Sequence, residues 1–453
     1  MKVREHKLKI GVSGIRGEVG EFLTPAMACA FAQAFGTYVG PGRVVIGRDT
    51  RRHGPMLEHA VACGLLASGC DVVRVGVQPT PTIQIYVAAR GARGGLAITA
   101  SHNPPEYNAL KLFNSRGLFF NSYERSELID LYHQSNFHHA TNDAIGSVHA
   151  DYARPAGIHI ERVLAHVDRD RIRRAGFRVA VDAVNGAGSQ MAVEFLGKHL
   201  CCEIVPVAVN PEKPFPRVAE PRPDTLGELA AEVKACGCDV GFAQDPDADR
   251  LAVADEHGRV LDNDDVLALV VDAVLEKQPG DVVVNLTTSA VIEDVARRYG
   301  CRVHRTPVGE ANVVERLLAT KAVIGGEGSN GGVIFPAVHP CRDSYTGMAF
   351  LLDRMAATGK TVSELAAGLP RYVRRQAKVA FEHGRLGGVM QALEERFQGA
   401  ETDRRDGLKL IWEDRWVHVR ASNTEPVMRI AVEARSAEEA ERLFAEVQGI
   451  VAS

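Results

Sequence analysis

The sequence of 453 residues predicts an α/β protein with three similar mixed-sheet α/β domains and a smaller C-terminal α+β domain around a central cleft. Three observations predict it. Apolar strands alternate with helical segments as far as Gly325. The strands are apolar at successive positions, as in sheets covered on both faces. Three times, a strand runs straight into a polar or Gly-rich loop.

In the first round, Thr24-Pro25 marks a helix start, with Thr as N-cap and Pro in the first turn, and the helix runs to about Tyr38. Arg43 to Gly47 is a strand, Pro55 to Ser68 a helix, Val72 to Val75 a strand, Thr82 to Ala89 a helix and Gly95 to Thr99 a strand. The second round has strands at Phe177 to Asp182, Glu203 to Val207 and Asp239 to Ala243. Its helices fall at Ser189 to Leu196 and Thr225 to Ala235. The third has strands at Asp281 to Leu286, Arg302 to Arg305 and Ala322 to Gly325, with helices at Ala290 to Tyr299 and from Glu310 to Ala319. Beyond Leu369 the pattern changes. Trp412 to Arg420 alternates like a half-exposed strand, Met428 to Glu433 is another strand, and Ala437 to Val447 is an amphipathic helix. The expected domains are 1–150, 151–252, 253–369 and 370–453.

Composition narrows the function. Charged residues make up 24% and the net charge is −4, so no positive field draws a nucleic-acid backbone. No apolar run reaches the roughly 18 residues of a membrane helix, and the charged N-terminus lacks an apolar signal core. Nine cysteines contain no C-x-x-C pair, so reduced thiols in a cytoplasmic protein are expected.

The three loops carry the chemistry, since ligands of open α/β sheets sit outside the carboxyl ends of the strands. Asp245, Asp247 and Asp249 recur at every second residue across Pro246, which excludes a helix interior. Three converging carboxylates call for a cation, and oxygen ligands suit Mg²⁺. An EF-hand fails here because Arg250 stands where that loop needs Gly, and a strand-like Leu251 to Asp255 follows. Ser101 and His102 follow the strand ending at Thr99; alone, Ser-His-Asn-Pro reads first as a turn. His102 would act as general acid or base. Gly326 to Gly332 is a flexible loop whose Glu327 favours sugar hydroxyls over phosphate. Arg420 to Pro426, with Arg429 beyond, has the donors a phosphate dianion needs.

Together, T-A-S-H-N-P with Asn108 and Lys111, D-P-D-A-D-R, G-E-G-S-N-G-G and R-A-S-N-T-E-P resemble the α-D-phosphohexomutase superfamily over nearly the whole chain. The resemblance implies that Ser101 is a phosphoserine and that Mg²⁺ is held by Asp245, Asp247, Asp249 and the phosphate on Ser101. It implies that Arg16 and Lys111 stabilise the moving phosphoryl group, assisted by His102 and Arg250. Glu327, Ser329 and Asn330 would read the sugar, and Arg420, Ser422, Asn423, Thr424 and Arg429 the distal phosphate. It further implies a hexose 1,6-bisphosphate that serves as intermediate and activator, a hinged fourth domain, and a monomer or homodimer. The stretch Gly11 to Gly17 departs from the Phe-Gly-Thr of many relatives. The sugar loop lacks the Ser-Gly-His ending of bacterial relatives and is similar to an archaeal-type branch often associated with glucosamine phosphates. Mannose or glucose phosphate is the alternative sugar. A metal-dependent phosphatase and a non-catalytic sugar-phosphate binder are the other classes.

Overall fold

The computed structural model describes residues 9–11, 14–381, 383–421 and 427–452, which form four sheets in chain order. In the first sheet, Gly42–Arg48 lies between Cys70–Val77 and Gly94–Ile98, all parallel. Tyr107–Asn114 returns antiparallel beside Gly94–Ile98. Gly14–Glu18 and Lys9–Gly11 continue that edge, and Val148–Ala150 adds to the other.

The second and third sheets repeat the plan. Arg178–Asp182 lies between Glu203–Ala208 and Val240–Gln244, and Leu251–Ala254 returns antiparallel beside the last. Val282–Asn285 lies between Val303–Thr306 and Ile324–Glu327, with Gly332–Ile334 returning. In each unit the first strand is central, the second and third flank it, and a fourth runs back beside the third. The loops joining third strand to fourth are therefore topologically equivalent. They hold Ser101, the three aspartates and Ser329-Asn330, so one position in a repeated fold supplies the cleft three times.

The fourth sheet is wholly antiparallel, in the order Val373–Ala380, Val427–Ala434, Trp416–Ala421, Leu408–Ile411, Glu401–Asp403. It has its own core, built from Leu408, Val417, Ile430 and Val432 against Leu443 and Val447 of the helix Ala437–Ala452. The second and third units instead share one core, in which Val181 and Phe242 join the same cluster as Val284, Leu267 and Tyr345. Burial of this kind contributes roughly 25 cal/mol per Å² of apolar area.

Capping explains several boundaries. Thr24 accepts a hydrogen bond from the Met27 amide at the start of Pro25–Val39. Asp343 caps Ser344–Thr358, which stops at Gly359 with φ +66°. The helix expected from Ser189 is present, α-helical to Val193 and a π-helix over Glu194–His199. Two expectations need correction. Residues 412–415 are a hairpin turn between Leu408–Ile411 and Trp416–Ala421, closed by the Trp412 amide on the Arg415 carbonyl, not the start of a strand. The third sheet's last parallel strand extends to Glu327, so only Gly328–Asn330 forms a turn.

Candidate active site

The loop after Gly94–Ile98 is pinned by one buried guanidinium. Arg51 donates to the carbonyls of Ser101 (2.7 Å), Asn103 (2.8 Å), Pro104 (2.5 Å) and Tyr107 (3.0 Å). Its Nε donates to Asp49 at 3.0 Å, and Asp49 also accepts from the Thr99 hydroxyl at 2.7 Å. Ser101 is thereby held at φ +49°, a conformation uncommon outside glycine. The hydroxyl of Ser101 is aimed across the domain boundary and donates to Asp245 Oδ2 at 2.5 Å.

The aspartate loop is equally fixed. Ala248 at its centre also has positive φ, +56°. The Asp247 carbonyl accepts from the Thr80 amide, the Pro246 carbonyl from the Ala187 amide, and the Ala248 carbonyl from the Ser344 hydroxyl. Gly186 allows this approach, because a Cβ there would lie 2.6 Å from the Pro246 carbonyl oxygen. Asp245, Asp247 and Asp249 are all buried, with one ligand atom of each within 4.8 Å of the others. Lys111 Nζ donates to Asp247 Oδ2 at 2.6 Å and to Asp249 Oδ2 at 3.2 Å. The Thr80 hydroxyl donates to Asp247 Oδ2 at 2.5 Å. Asp247 Oδ1 and Asp249 Oδ1 have no hydrogen-bond partner among the described residues. Buried carboxylate oxygens are rarely left so, and a hard cation would satisfy them. The donor set fits a divalent oxygen-seeking metal.

The electrostatics follow from burial. Burial, then the charges of Asp247 and Asp249, push Asp245 well above the usual carboxylate range. Burial also works against ionised Asp247, but the Lys111 charge and hydrogen bond outweigh it and hold Asp247 low. Burial opposes the charge on Lys111, and the two aspartates more than restore it. His102 is driven down to about 2 by burial and by the Arg250 charge. That favours the neutral imidazole beside an unphosphorylated Ser101. Its Nδ1 lies 3.4 Å from Ser101 Oγ.

A cavity of about 250 Å³ opens here. It is lined by Arg16, Ser101, His102 and Lys111 from the first unit, Arg250 from the second, and Glu327 and Asn330 from the third. Burial lowers the pKa of Arg16. Arg250 Nη1 donates to Glu220 at 2.9 Å. Glu327 accepts from Asn285 Nδ2 and the Gly309 amide, each at 2.9 Å. The Ser329 hydroxyl lies 3.2 Å from that of Thr287. The glycines hold this loop close rather than loose: a Cβ on Gly328 would lie 2.0 Å from Asp264 Oδ1. Arg420 does not line the cavity. It pairs with Asp406 at 3.2 Å, and Asp406 also accepts from the amide of the lining residue Val308 at 3.0 Å. Arg429 is the register partner of Arg420 on the adjacent strand. Ser422, Asn423 and Thr424 lie outside the described residues.

Sequence reasoning missed Arg51, Thr80, Glu310 and Arg342. Arg51 follows the strand Gly42–Arg48, and all its partners but Asp49 are carbonyls, which leave no side-chain pattern to read. Glu310 and Arg342 also line the cavity, and burial pushes Glu310 up to about 7 against the Arg342 charge.

Three equivalent loops meet at one cation-ready cleft, and the comparisons with known proteins make the chain a phosphohexomutase, an intramolecular phosphotransferase. The chain belongs to the phosphoglucomutase/phosphomannomutase family: the models of its α/β/α domains I, II and III match residues 7–139, 158–258 and 262–372, and that of its C-terminal domain matches 374–450. A relative from Methanopyrus kandleri named probable phosphoglucosamine mutase is 41% identical over 97% of both chains. A Thermococcus kodakarensis relative named phosphoglucomutase/phosphomannomutase is 41% identical over 95% of both. The crystal structure of a phosphoglucomutase/phosphomannomutase family protein from Burkholderia thailandensis superposes with a TM-score of 0.86 at 29% identity, covering 97% of this chain and 96% of that one. No described helix is long and apolar enough to cross a membrane.

Proposed function

We propose that Ser101 carries the phosphoryl group in an interconversion of hexose 6-phosphate and hexose 1-phosphate, with glucosamine phosphate the preferred substrate. The observation that carries this reading is the 2.5 Å hydrogen bond from Ser101 to Asp245, beside two buried carboxylate oxygens with no hydrogen-bond partner among the described residues. Asp245, Asp247 and Asp249 would hold Mg²⁺, which when bound neutralises the carboxylates and the phosphate oxygens of a phosphorylated Ser101. Such transfers depend on positioning and charge more than on covalent help.

The residues divide the work. Lys111 and Arg16 face the transferring phosphoryl, and Arg250 adds charge at the rim. The sugar hydroxyl oxygen forms a bond to phosphorus as the Ser101 ester bond breaks. The sugar hydroxyl's proton passes to a base, a role open to His102 once phosphate charge offsets its burial, and a proton is returned to the departing Ser101 oxygen, 3.4 Å from His102 Nδ1. The 1,6-bisphosphate product then turns over and returns its other phosphate to Ser101. Arg420, with Ser422, Asn423, Thr424 and Arg429, would grip whichever phosphate is distal. The separate core of the fourth unit supports movement of that unit during the turn.

The sugar assignment has one local support. Glu327, held by Arg342 at 3.4 Å, puts a carboxylate on the cavity lining that is suited to a sugar ammonium. The deciding experiment is parallel turnover of glucosamine, glucose and mannose 1-phosphates with Mg²⁺ and a trace of hexose 1,6-bisphosphate. Glucosamine 1-phosphate should turn over fastest, without release of inorganic phosphate. Net release would favour a phosphatase. Inactivity on all three would refute the reading.

A further inference from the structure

Arg342 makes contacts that the phosphoryl-transfer scheme does not use. It lies between Gly332–Ile334 and Ser344–Thr358, immediately before the helix cap Asp343. Its backbone is fixed on both sides. The residue forms an isolated antiparallel bridge with Ile334, and the Asp343 amide donates to the Val333 carbonyl at 2.8 Å. Its side chain passes over Gly332, where a Cβ would lie 2.4 Å from Arg342 Cδ.

The three guanidinium nitrogens go to three different places. Nη2 donates to Asp249 Oδ2 at 2.7 Å. Nη1 donates to Glu327 Oε2 at 3.4 Å, and Nε to Glu310 Oε2 at 2.9 Å. The first belongs to the metal loop of the second sheet, the second to the sugar loop of the third, and the last starts the helix Glu310–Thr320. Holding Asp249 Oδ2 leaves Asp249 Oδ1 as the oxygen free to ligate. Holding Glu327 Oε2 fixes the carboxylate expected to face the sugar. A planar five-donor fork can serve all three partners at once, which a lysine ammonium on a flexible stem cannot.

We infer that Arg342 is a positioning residue that couples metal binding to sugar recognition, by orienting the Asp249 carboxylate and the Glu327 carboxylate from one rigid side chain. The inference rests on the assignment of the two loops made above. Its consequence is reciprocal: sugar phosphate tightens the metal, and metal tightens sugar phosphate by the same factor.

The test is calorimetric titration of Mg²⁺ into dephosphorylated protein, with and without saturating glucose 6-phosphate, for the natural chain, Arg342→Lys and Arg342→Met. The natural chain should bind Mg²⁺ at least about 5-fold more tightly when the sugar phosphate is present, the lower end of ordinary coupling. Both variants should reduce that factor to near one, and Arg342→Met should weaken Mg²⁺ binding by itself. If Arg342→Met does not fold, Arg342→Lys decides. Coupling that survives in Arg342→Lys, or a natural chain that binds both ligands independently, would overturn the assignment alone. A natural chain that binds neither ligand overturns the proposed function, and this assignment with it.

Discussion

The Ser101 hydroxyl and the Asp245 carboxylate meet at 2.5 Å, although 144 residues separate them in the chain. A phosphate on Ser101 would place a dianion against three buried carboxylates that Lys111, Arg342 and Arg250 only partly offset. Mg²⁺ should therefore stabilise the phosphorylated protein more than the unmodified one, because a ligand stabilises the state it binds more tightly. The expected result is a larger rise in thermal midpoint on adding Mg²⁺ to phosphorylated protein. Equal rises would separate the serine from the metal site. Ser101→Ala should fold normally and lose turnover by several orders of magnitude, with chelator reducing the natural chain similarly.

Arg51 sets the shape of the serine loop. Its removal takes the guanidinium from the Ser101, Asn103, Pro104 and Tyr107 carbonyls and leaves the buried Asp49 without its countercharge, although Asp49 keeps the Thr99 hydroxyl. Breaking a buried charge pair costs about 3–5 kcal/mol. Arg51→Met should lower stability by that order in denaturant unfolding. Arg51→Lys should recover part of the stability but little of kcat, since an ammonium cannot span the same carbonyls.

Acid stability follows from buried neutral histidines. His339 is 6% exposed, lies 3.1 Å through Nε2 from the Gly117 carbonyl, and is lowered by burial to about 4. The unfolded side chain titrates near 6.5. Between these values the unfolded state binds more protons, so stability is full above about pH 6.5 and falls as pH drops toward 4. That shift corresponds to about 3 kcal/mol. His339→Gln keeps an amide donor for Gly117, and its unfolding free energy should fall less steeply across that window. Parallel pH profiles would remove His339 from this role.

The sheets and their loops were legible because apolar strands and capped helices leave local patterns. What stayed hidden was buried all round or reached far along the chain. The helices Asn263–Lys277 and Ser344–Thr358 are largely buried, so they lack the one-sided apolar stripe that betrays a surface helix. Tyr107–Asn114, the antiparallel strand that presents Lys111, is almost entirely buried and carries no alternation. Arg342 reaches Asp249 across 93 residues, and Asp249 shows only as part of its own triplet. The aspartate loop is the opposite case, since all three carboxylates come from five consecutive residues.

Gly186 supplies a steric test of the metal loop. Adding a methyl group would bring it to 2.6 Å from the Pro246 carbonyl oxygen and 2.7 Å from the Pro246 Cα, both backbone atoms. Overpacking of this kind costs about 1–3 kcal/mol. Gly186→Ala should weaken Mg²⁺ binding as well as stability, because relief requires the Asp245 to Asp249 turn to move. Unchanged metal affinity in calorimetry would show that the second unit yields elsewhere.

Asp406 tests how the fourth unit is held for the distal phosphate. It pairs with Arg420 at 3.2 Å and accepts from the Val308 amide at 3.0 Å, so one carboxylate joins the strand proposed to read the phosphate to the cavity wall. The pair is partly exposed, with side-chain accessibilities of 26% and 18%, so the ion pair itself adds little stability, about 0–1 kcal/mol. With Arg420 gripping the distal phosphate as proposed, its influence falls on ligand binding, because an incoming phosphate must compete with Asp406 for Arg420. Asp406→Asn keeps an oxygen for Val308 and removes the competing charge. KM for the sugar phosphate should fall several-fold, and kcat should fall with it if release of the distal phosphate limits turnover. The added charge attraction is screened by salt, so the KM difference should shrink as ionic strength rises. A higher KM in Asp406→Asn would mean that Asp406 orients Arg420 for phosphate instead of competing with it.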